Sequence, residues 1–238
     1  MKVAVLTTET THHAYFVKEL KKACSNVVAF CEIETPSFPF KTYHSFEDER
    51  EDFELSRWFN SELVKVSDLV ETFMVSNMNE ASSIQKLKSE NADVVIVFGT
   101  GKLNSNVIKN SPKNLFNLHG GDPERYRGLD THLWSIYHRD FPALITTLHK
   151  LDENLDTGDL ILQSTLPLYP DMPLIELRAV NTEVCVKLVQ SALDMIKRHG
   201  DVVVRPQRVR GRYYSAMPAE LKEVCKKYFS NYVSTQIS

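Results

Sequence analysis

Asn117 and His119 stand two positions apart at the end of the apolar run LFNLH, just before Gly120, Gly121, Asp122 and Pro123 bend the chain. Histidine takes up and returns a proton near neutral pH. An asparagine amide can donate a hydrogen bond to an oxygen that gains charge when a carbonyl carbon is attacked. Asp156, in the stretch LDENLDTGDL, is a carboxylate that can orient and charge an imidazole. Together the three suit transfer of an acyl-type group. No serine or cysteine sits in a GxSxG-like elbow, so direct attack by a substrate amine is more economical than a covalent intermediate. Each residue also has a purely structural reading: Asn117 as a strand-end partner, His119 as a loop histidine, and residues 156–158 as a hairpin turn. A metal set would draw on His119, Asp122, Asp156 and Asp159, but no HxH or HxxxH spacing supports it, and the expectation is chemistry without a metal.

The elements that must position these residues follow from periodicity. Residues 2–7 form a short β-branched run that fits a strand buried on both faces. Residues 11–24 carry Phe16, Val17, Leu20, Ala23 and Cys24 at helical spacing, and residues 26–33 read as a second strand. The Pro-containing segment 35–40 is irregular. Residues 47–52 are acidic in five of six positions and read as a solvated helix surface, with helical composition continuing through Phe73. A further helical stretch ends near Glu90. Residues 93–99 are the most strand-like run in the chain, and residues 115–119 are the next strand. Residues 131–140 suit a helix, residues 143–151 and 159–168 two strands around a loop, and residues 174–198 a long amphipathic helix ended by Gly200. Alternating strands and helices up to about Leu103 imply an α/β, doubly wound, mostly parallel sheet with flanking helices. In such sheets ligands sit beyond the carboxyl ends of the strands. Asn117, His119 and the loop after Phe98 occupy such ends. The expected organisation is a catalytic domain over residues 1–200 and a short C-terminal extension over 201–238 packed on it.

The net charge of −3 and the 25% charged content give no reason to expect nucleic acid. Cys24, Cys31, Cys185 and Cys225 are scattered, with neither CxxC nor zinc-ligand spacing, and read as reduced thiols. No signal peptide opens the chain and no run reaches membrane-spanning length, so a cytoplasmic protein without membrane contact is expected.

The stretches VIVFGTGKL, NLHGGDPERYRG and LDENLDTGDLILQSTLPL resemble, in order and spacing, the catalytic domain of the folate-dependent formyltransferases. The resemblance is strongest over residues 90–170, and it implies a Rossmann-like fold. It makes Asn117, His119 and Asp156 the catalytic set. It also implies a formyl donor, N10-formyltetrahydrofolate, held by Gly101, Lys102 and Leu103 on one loop and by Leu151, Asp152, Asn154 and Leu155 on the other. One departure stands out: the family usually follows the histidine with x-Ser-Leu-Leu-Pro, whereas this chain has Gly120-Gly121-Asp122-Pro123.

The acceptor is narrowed by what is missing. The purine-pathway enzyme, glycinamide ribonucleotide transformylase, typically has a glycine-rich phosphate loop after its first strand, but no glycine stands between Met1 and Gly99. The tRNA enzyme of the family carries a further C-terminal domain, and about forty residues following the long helix are too few for one. The sequence is most similar to the short nucleotide-sugar N-formyltransferases of surface-polysaccharide pathways, including O-antigen and lipopolysaccharide biosynthesis. Expected acceptors are dTDP-4-amino-4,6-dideoxyglucose, its 3-amino isomer, or GDP-perosamine. His12, His13, Tyr15, Arg125 and Arg127 are the substrate-binding candidates, by stacking on a base or meeting a pyrophosphate. The basic run 197–212 either faces phosphate or caps the long helix. A homodimer is expected from the family. Rival readings are a glycinamide ribonucleotide-type transformylase, a formyltetrahydrofolate hydrolase and a non-enzymatic ligand-binding module.

Overall fold

The computed structural model describes residues 1–34 and 36–235. Thr35, in the Pro-containing segment, and the last three positions of the expected extension lie outside the described residues.

In chain order the elements are β1 (Val3–Thr7), α1 (Thr11–Ala23), β2 (Val27–Glu32), α2 (Phe46–Phe59), β3 (Glu71–Val75), α3 (Ala81–Ser89), β4 (Val94–Val97), α4 (Ser105–Asn110), β5 (Leu115–His119), β6 (Tyr126–Gly128), α5 (Thr131–Tyr137), β7 (Ile145–Lys150), β8 (Leu160–Thr165), α6 (Leu177–His199), β9 (Arg212–Tyr214) and α7 (Ala219–Thr235). Seven strands form one sheet in the order β3-β2-β1-β4-β5-β7-β8. The pairs from β3 through β5 are parallel, and β5–β7 and β7–β8 are antiparallel. This is an α/β Rossmann-like fold with helices on both faces. The chain winds outward in both directions from β1, so the loops after β1 and β4 diverge and leave a crevice between them.

β1, β2 and β4 are buried at every position, which is why they read as continuous apolar runs rather than alternating ones. On one face Phe16, Val17 and Leu20 of α1 pack with Val184, Val189 and Leu193 of α6 over Val5, Ile96 and Phe116. The other face is smaller, with Leu87 of α3 and Val107 of α4 covering Leu6, Val95 and Val97. α6 ends where Gly200 turns left-handed at φ 79° and its N–H bonds the Ile196 carbonyl at 2.8 Å.

Two expectations change and a third holds in part. Helical composition does not run through Phe73: residues 71–75 form the edge strand β3, whose Thr, Phe and Val suit a pleated surface. The long helix begins at Leu177, preceded by a 3₁₀ turn at Leu174–Glu176. The acidic run is solvated as expected at Asp48, Glu49 and Asp52, but Glu51 also binds Arg178 of α6 and Glu47 binds Lys222 of α7.

The segment after α6 returns to the sheet. Its α7 inserts Cys225, Phe229 and Val233 into the same core as α1 and α6. Its β9 lies parallel to β6, pairing Tyr126 with Arg212 and Gly128 with Tyr214.

Candidate active site

The antiparallel register of β5 and β7 sets Asn117 opposite His149 and His119 opposite Thr147. Side chains alternate between the faces of a strand, so these four share one face. Asn117 Nδ2 lies 3.1 Å from His149 Nε2 and 3.3 Å from Asp156 Oδ1. Asp156 Oδ1 is 3.6 Å from His119 Nδ1 and 3.6 Å from His149 Nε2. The carboxylate thus sits between two imidazoles with the amide beside it.

The backbone fixes which ring nitrogens carry protons. His119 Nε2 donates to the Tyr126 carbonyl at 2.8 Å, leaving Nδ1 turned to Asp156. His149 Nδ1 donates to the Lys150 carbonyl at 2.7 Å, so its Nε2 accepts from the Asn117 amide. The N–H of Gly128 donates to Asp156 Oδ2 at 2.8 Å. Asp156 itself adopts φ 53°, a left-handed turn conformation that aspartate tolerates. Burial pushes its carboxyl up, but the positive charge that the His119 and His149 rings take on in acid, together with the Gly128 amide, outweighs this and holds it at about 2. It is a fixed negative charge.

Both second partners come from β6: the Tyr126 carbonyl for His119 and the Gly128 amide for Asp156. Gly128 has φ 99°, and a Cβ there would stand 2.1 Å from the Tyr214 carbonyl oxygen of β9. Gln207, from the same C-terminal segment, donates to the carbonyls of Asp156 at 3.0 Å and Gly158 at 2.9 Å. Residues 205–214 therefore clamp both the β6 strand and the Asp156 loop. The Gly120-Gly121-Asp122-Pro123 departure is part of this packing. Gly121 N–H bonds the His119 carbonyl at 3.0 Å, Thr147 Oγ1 donates to the Gly121 carbonyl at 2.7 Å, and a Cβ on Gly121 would stand 3.1 Å from His119 Nε2.

These residues border a cavity of about 850 Å³. It is also lined by all of Gly101, Lys102, Leu103, Leu151, Asp152, Asn154 and Leu155. Glu32 secures the first of those loops: its carboxylate accepts the N–H of Gly101 at 2.8 Å and of Met78 at 2.9 Å. Asp152 secures the second by accepting from Thr157 Oγ1 at 2.7 Å.

The substrate-binding candidates divide. His12 and His13 line the cavity, and His13 Nδ1 lies 2.9 Å from both Thr8 Oγ1 and Thr10 Oγ1. Burial first, then the Arg178 charge, pushes His13 down to about 3; burial, His13 and the two arginines Arg178 and Arg50 push His12 down as well. Both rings are neutral at pH 7. Tyr15 lies outside the cavity, stacked on Trp58 at 4.1 Å. Arg125 is on the surface, paired with Asp140 at 2.8 Å. Arg127 is buried and donates to the Gly211 and Leu155 carbonyls; with Arg210 and Lys102 it borders a smaller hollow of about 380 Å³. The rest of the basic run is partly spent on local pairs, Arg205 with Glu124 at 2.8 Å and Arg212 over the Tyr214 ring.

The sequence reading passed over His149, His132, Arg50, Arg178 and Asn181, all of which line the cavity. Among the described residues no group of three or more His, Cys, Asp or Glu is arranged to hold a metal ion, and Asp122 and Asp159 do not join His119 and Asp156. No described helix is long and apolar enough to cross a membrane.

Comparison with known proteins bears on the family and the fold. The methionyl-tRNA formyltransferase of Agathobacter rectalis is 34% identical over 103 residues, 43% of this chain and 33% of that protein. The match thus spans about a third of that curated relative. Among solved structures, a 4-N formyltransferase from Francisella tularensis superposes with a TM-score of 0.61 at 17% identity, over 90% of this chain and 76% of that one. The N-formyltransferase from Helicobacter canadensis, in complex with folinic acid and dTDP-3-aminofucose, gives 0.59 at 13% identity over 90% and 71%. At such identities these likenesses speak for the fold. The model of the family described as Formyl transferase matches residues 1–192, and the chain belongs to that family.

Proposed function

We propose that the protein is an N-formyltransferase that moves the formyl group of N10-formyltetrahydrofolate to the amine of a nucleotide-linked amino-deoxy sugar. One observation carries the reading: Asn117, His119 and Asp156 converge within 3.6 Å at the wall of a cavity that the two donor loops also line. The loops fit a folate, since Leu103, Leu151 and Leu155 offer apolar surface while Asp152 and Asn154 offer polar groups beside it.

In the proposed reaction the acceptor nitrogen attacks the formyl carbon, and a C–N bond forms as the C–N10 bond breaks. His119, through Nδ1, takes the proton that the attacking amine loses and returns it to N10 of the leaving tetrahydrofolate. Asp156 stabilises the imidazolium formed in between. Asn117 has both amide hydrogens committed, to His149 at 3.1 Å and to Asp156 at 3.3 Å. The longer bond is the one that yields, so that this N–H can turn to the formyl oxygen as it gains charge. His149 holds the amide in place throughout.

The amino-sugar acceptor is supported by the dTDP-3-aminofucose bound to the Helicobacter canadensis protein and by the room the cavity leaves beyond the donor loops. A second reading, transfer to methionyl-tRNA, is favoured by the 34% identical relative. The test is a formyl-transfer assay with N10-formyltetrahydrofolate that follows tetrahydrofolate release and acceptor mass. The panel is dTDP- and GDP-linked amino sugars, methionyl-tRNA, glycinamide ribonucleotide and water alone. A mass gain of one formyl group on a nucleotide sugar supports the proposal. Formylated methionyl-tRNA, or folate release with water alone, overturns it.

A further inference from the structure

The wall of the cavity continues from His119 away from the donor loops. Gly120 packs on His132 and Asn181, with a Cβ at Gly120 falling 3.2 Å from the His132 ring and 3.7 Å from Asn181 Nδ2. One turn earlier on α6 is Arg178, and across from it on α2 is Arg50. Every ionic neighbour of Arg50 already has a partner. Arg178 is bound by Glu54 through two hydrogen bonds of 2.7 and 2.6 Å and by Glu51 at 2.9 Å. Glu47 is held by Lys222, which also approaches Asp130 at 4.0 Å. Arg50 itself makes no hydrogen bond or ion pair among the described residues, and its Nε is sealed from solvent without an acceptor. Its guanidinium lies over the Phe46 ring at 5.6 Å.

A sealed guanidinium N–H without an acceptor is costly, and an ion or ligand oxygen is one of the partners that relieves it; the rest of the Arg50 side chain is half-buried at the cavity wall. Burial, followed by the like charge of Arg178, pushes Arg50 down to about 10, which still leaves it fully charged at pH 7. No carboxylate beside it is free to pair with it, and the neutral His12 and His13 add no competing positive charge. The planar fork of an arginine matches two oxygens of one phosphoryl or carboxylate group.

We propose that Arg50 is the acceptor's anion anchor: it binds an oxyanion of the acceptor, in the part of the cavity bounded by α2 and α6, and so sets the reach of the amine to His119. The assignment of that oxyanion to an acceptor rests on the formyl-transfer reading above, in which it is a phosphate of the nucleotide.

The test is calorimetric titration of the full chain with inorganic pyrophosphate and, separately, with malonate, for wild type, Arg50→Gln and Arg50→Lys. Wild type should bind pyrophosphate, Arg50→Gln at least tenfold more weakly, and Arg50→Lys in between, because lysine keeps the charge but not the fork. Malonate binding with the same order among variants, and none of pyrophosphate, would keep Arg50 as the anchor and assign it a carboxylate acceptor. Equal affinities in all three proteins, or binding of neither anion, overturns the proposal. If Arg50→Gln does not fold, the comparison of wild type with Arg50→Lys decides. Tetrahydrofolate binding, measured on the same samples, keeps the two readings apart. Its loss in wild type with anion binding intact would defeat the formyl-transfer reading while leaving the anion site standing.

Discussion

His119 has one nitrogen tied to the backbone and the other turned to a carboxylate, so turnover and stability must both be measured to separate its part in the reaction from its part in the fold. His119→Ala is expected to lower turnover by about 10²- to 10⁴-fold, the usual range for a general base, with tetrahydrofolate affinity little changed. Near-normal turnover would assign the ring to structure. Asp156→Asn removes the negative charge that stabilises the imidazolium, so besides a lower rate the acid limb of the pH–rate profile should move to lower pH. An unchanged profile would leave Asp156 as a turn residue. Buried histidines set the pH dependence of stability in a different way. His13 at about 3 and His132 at about 4 bind protons more readily unfolded, where the ordinary value is 6.5, than folded. Their contribution is complete above about pH 6.5 and is lost as pH falls toward 4 and 3. Asp156 adds a further loss only below its ordinary 3.8, as pH approaches 2. Thermal melts should thus show a Tm that begins to fall below about pH 6.5, and less steeply in His13→Gln. A Tm independent of pH between 4 and 7 would contradict this.

At the scale of elements, the site depends on contacts that differ greatly in how visible they are in a sequence. Periodicity puts Asn117 and His119 at a strand end and Asp156 in a turn between two strands, and it is the resemblance of the stretches around them that joins the three into one expected set. His149 could not be read, because its place opposite Asn117 is a matter of antiparallel register, and a one-residue slip would have put Lys150 there. β6 and β9 are three residues each, too short for any period to show, and they pair residues 86 positions apart, as Tyr126 and Arg212 do. From the sequence α7 reads only as part of a packed extension, and β3 reads as helix, since short edge strands carry a weak pattern. The pair β6–β9 can be broken by a single methyl group. Gly128→Ala meets both a left-handed backbone and the Tyr214 carbonyl, and should cost about 3 kcal/mol of stability and most activity. A stable, active variant would show that β6 does not support the site. On the donor side, Glu32→Ala leaves two amide groups without their acceptor, at a cost of about 1–3 kcal/mol each. Donor affinity should fall more than acceptor affinity, which binding titrations with each ligand would show.

For the molecule as a whole, the family match ends at residue 192, yet the core does not. Phe229 of α7 is fully buried, and Phe229→Ala should destabilise the protein by about 3–5 kcal/mol in urea unfolding. A loss below 1 kcal/mol would make α7 a detachable appendage. The clamp formed by residues 205–214 has a consequence for the order in which the protein becomes competent. The ribosome delivers His119 and Asp156 early, but the strand that braces β6 and the Gln207 side chain that holds the Asp156 loop are translated afterwards. A nascent chain that stops short of residue 205 has its reacting groups and lacks the brace that aligns them. Alignment of Asn117, His119 and Asp156 therefore waits on residues 205–214, the part of the described chain in which Gln207 follows Asp156 by 51 positions.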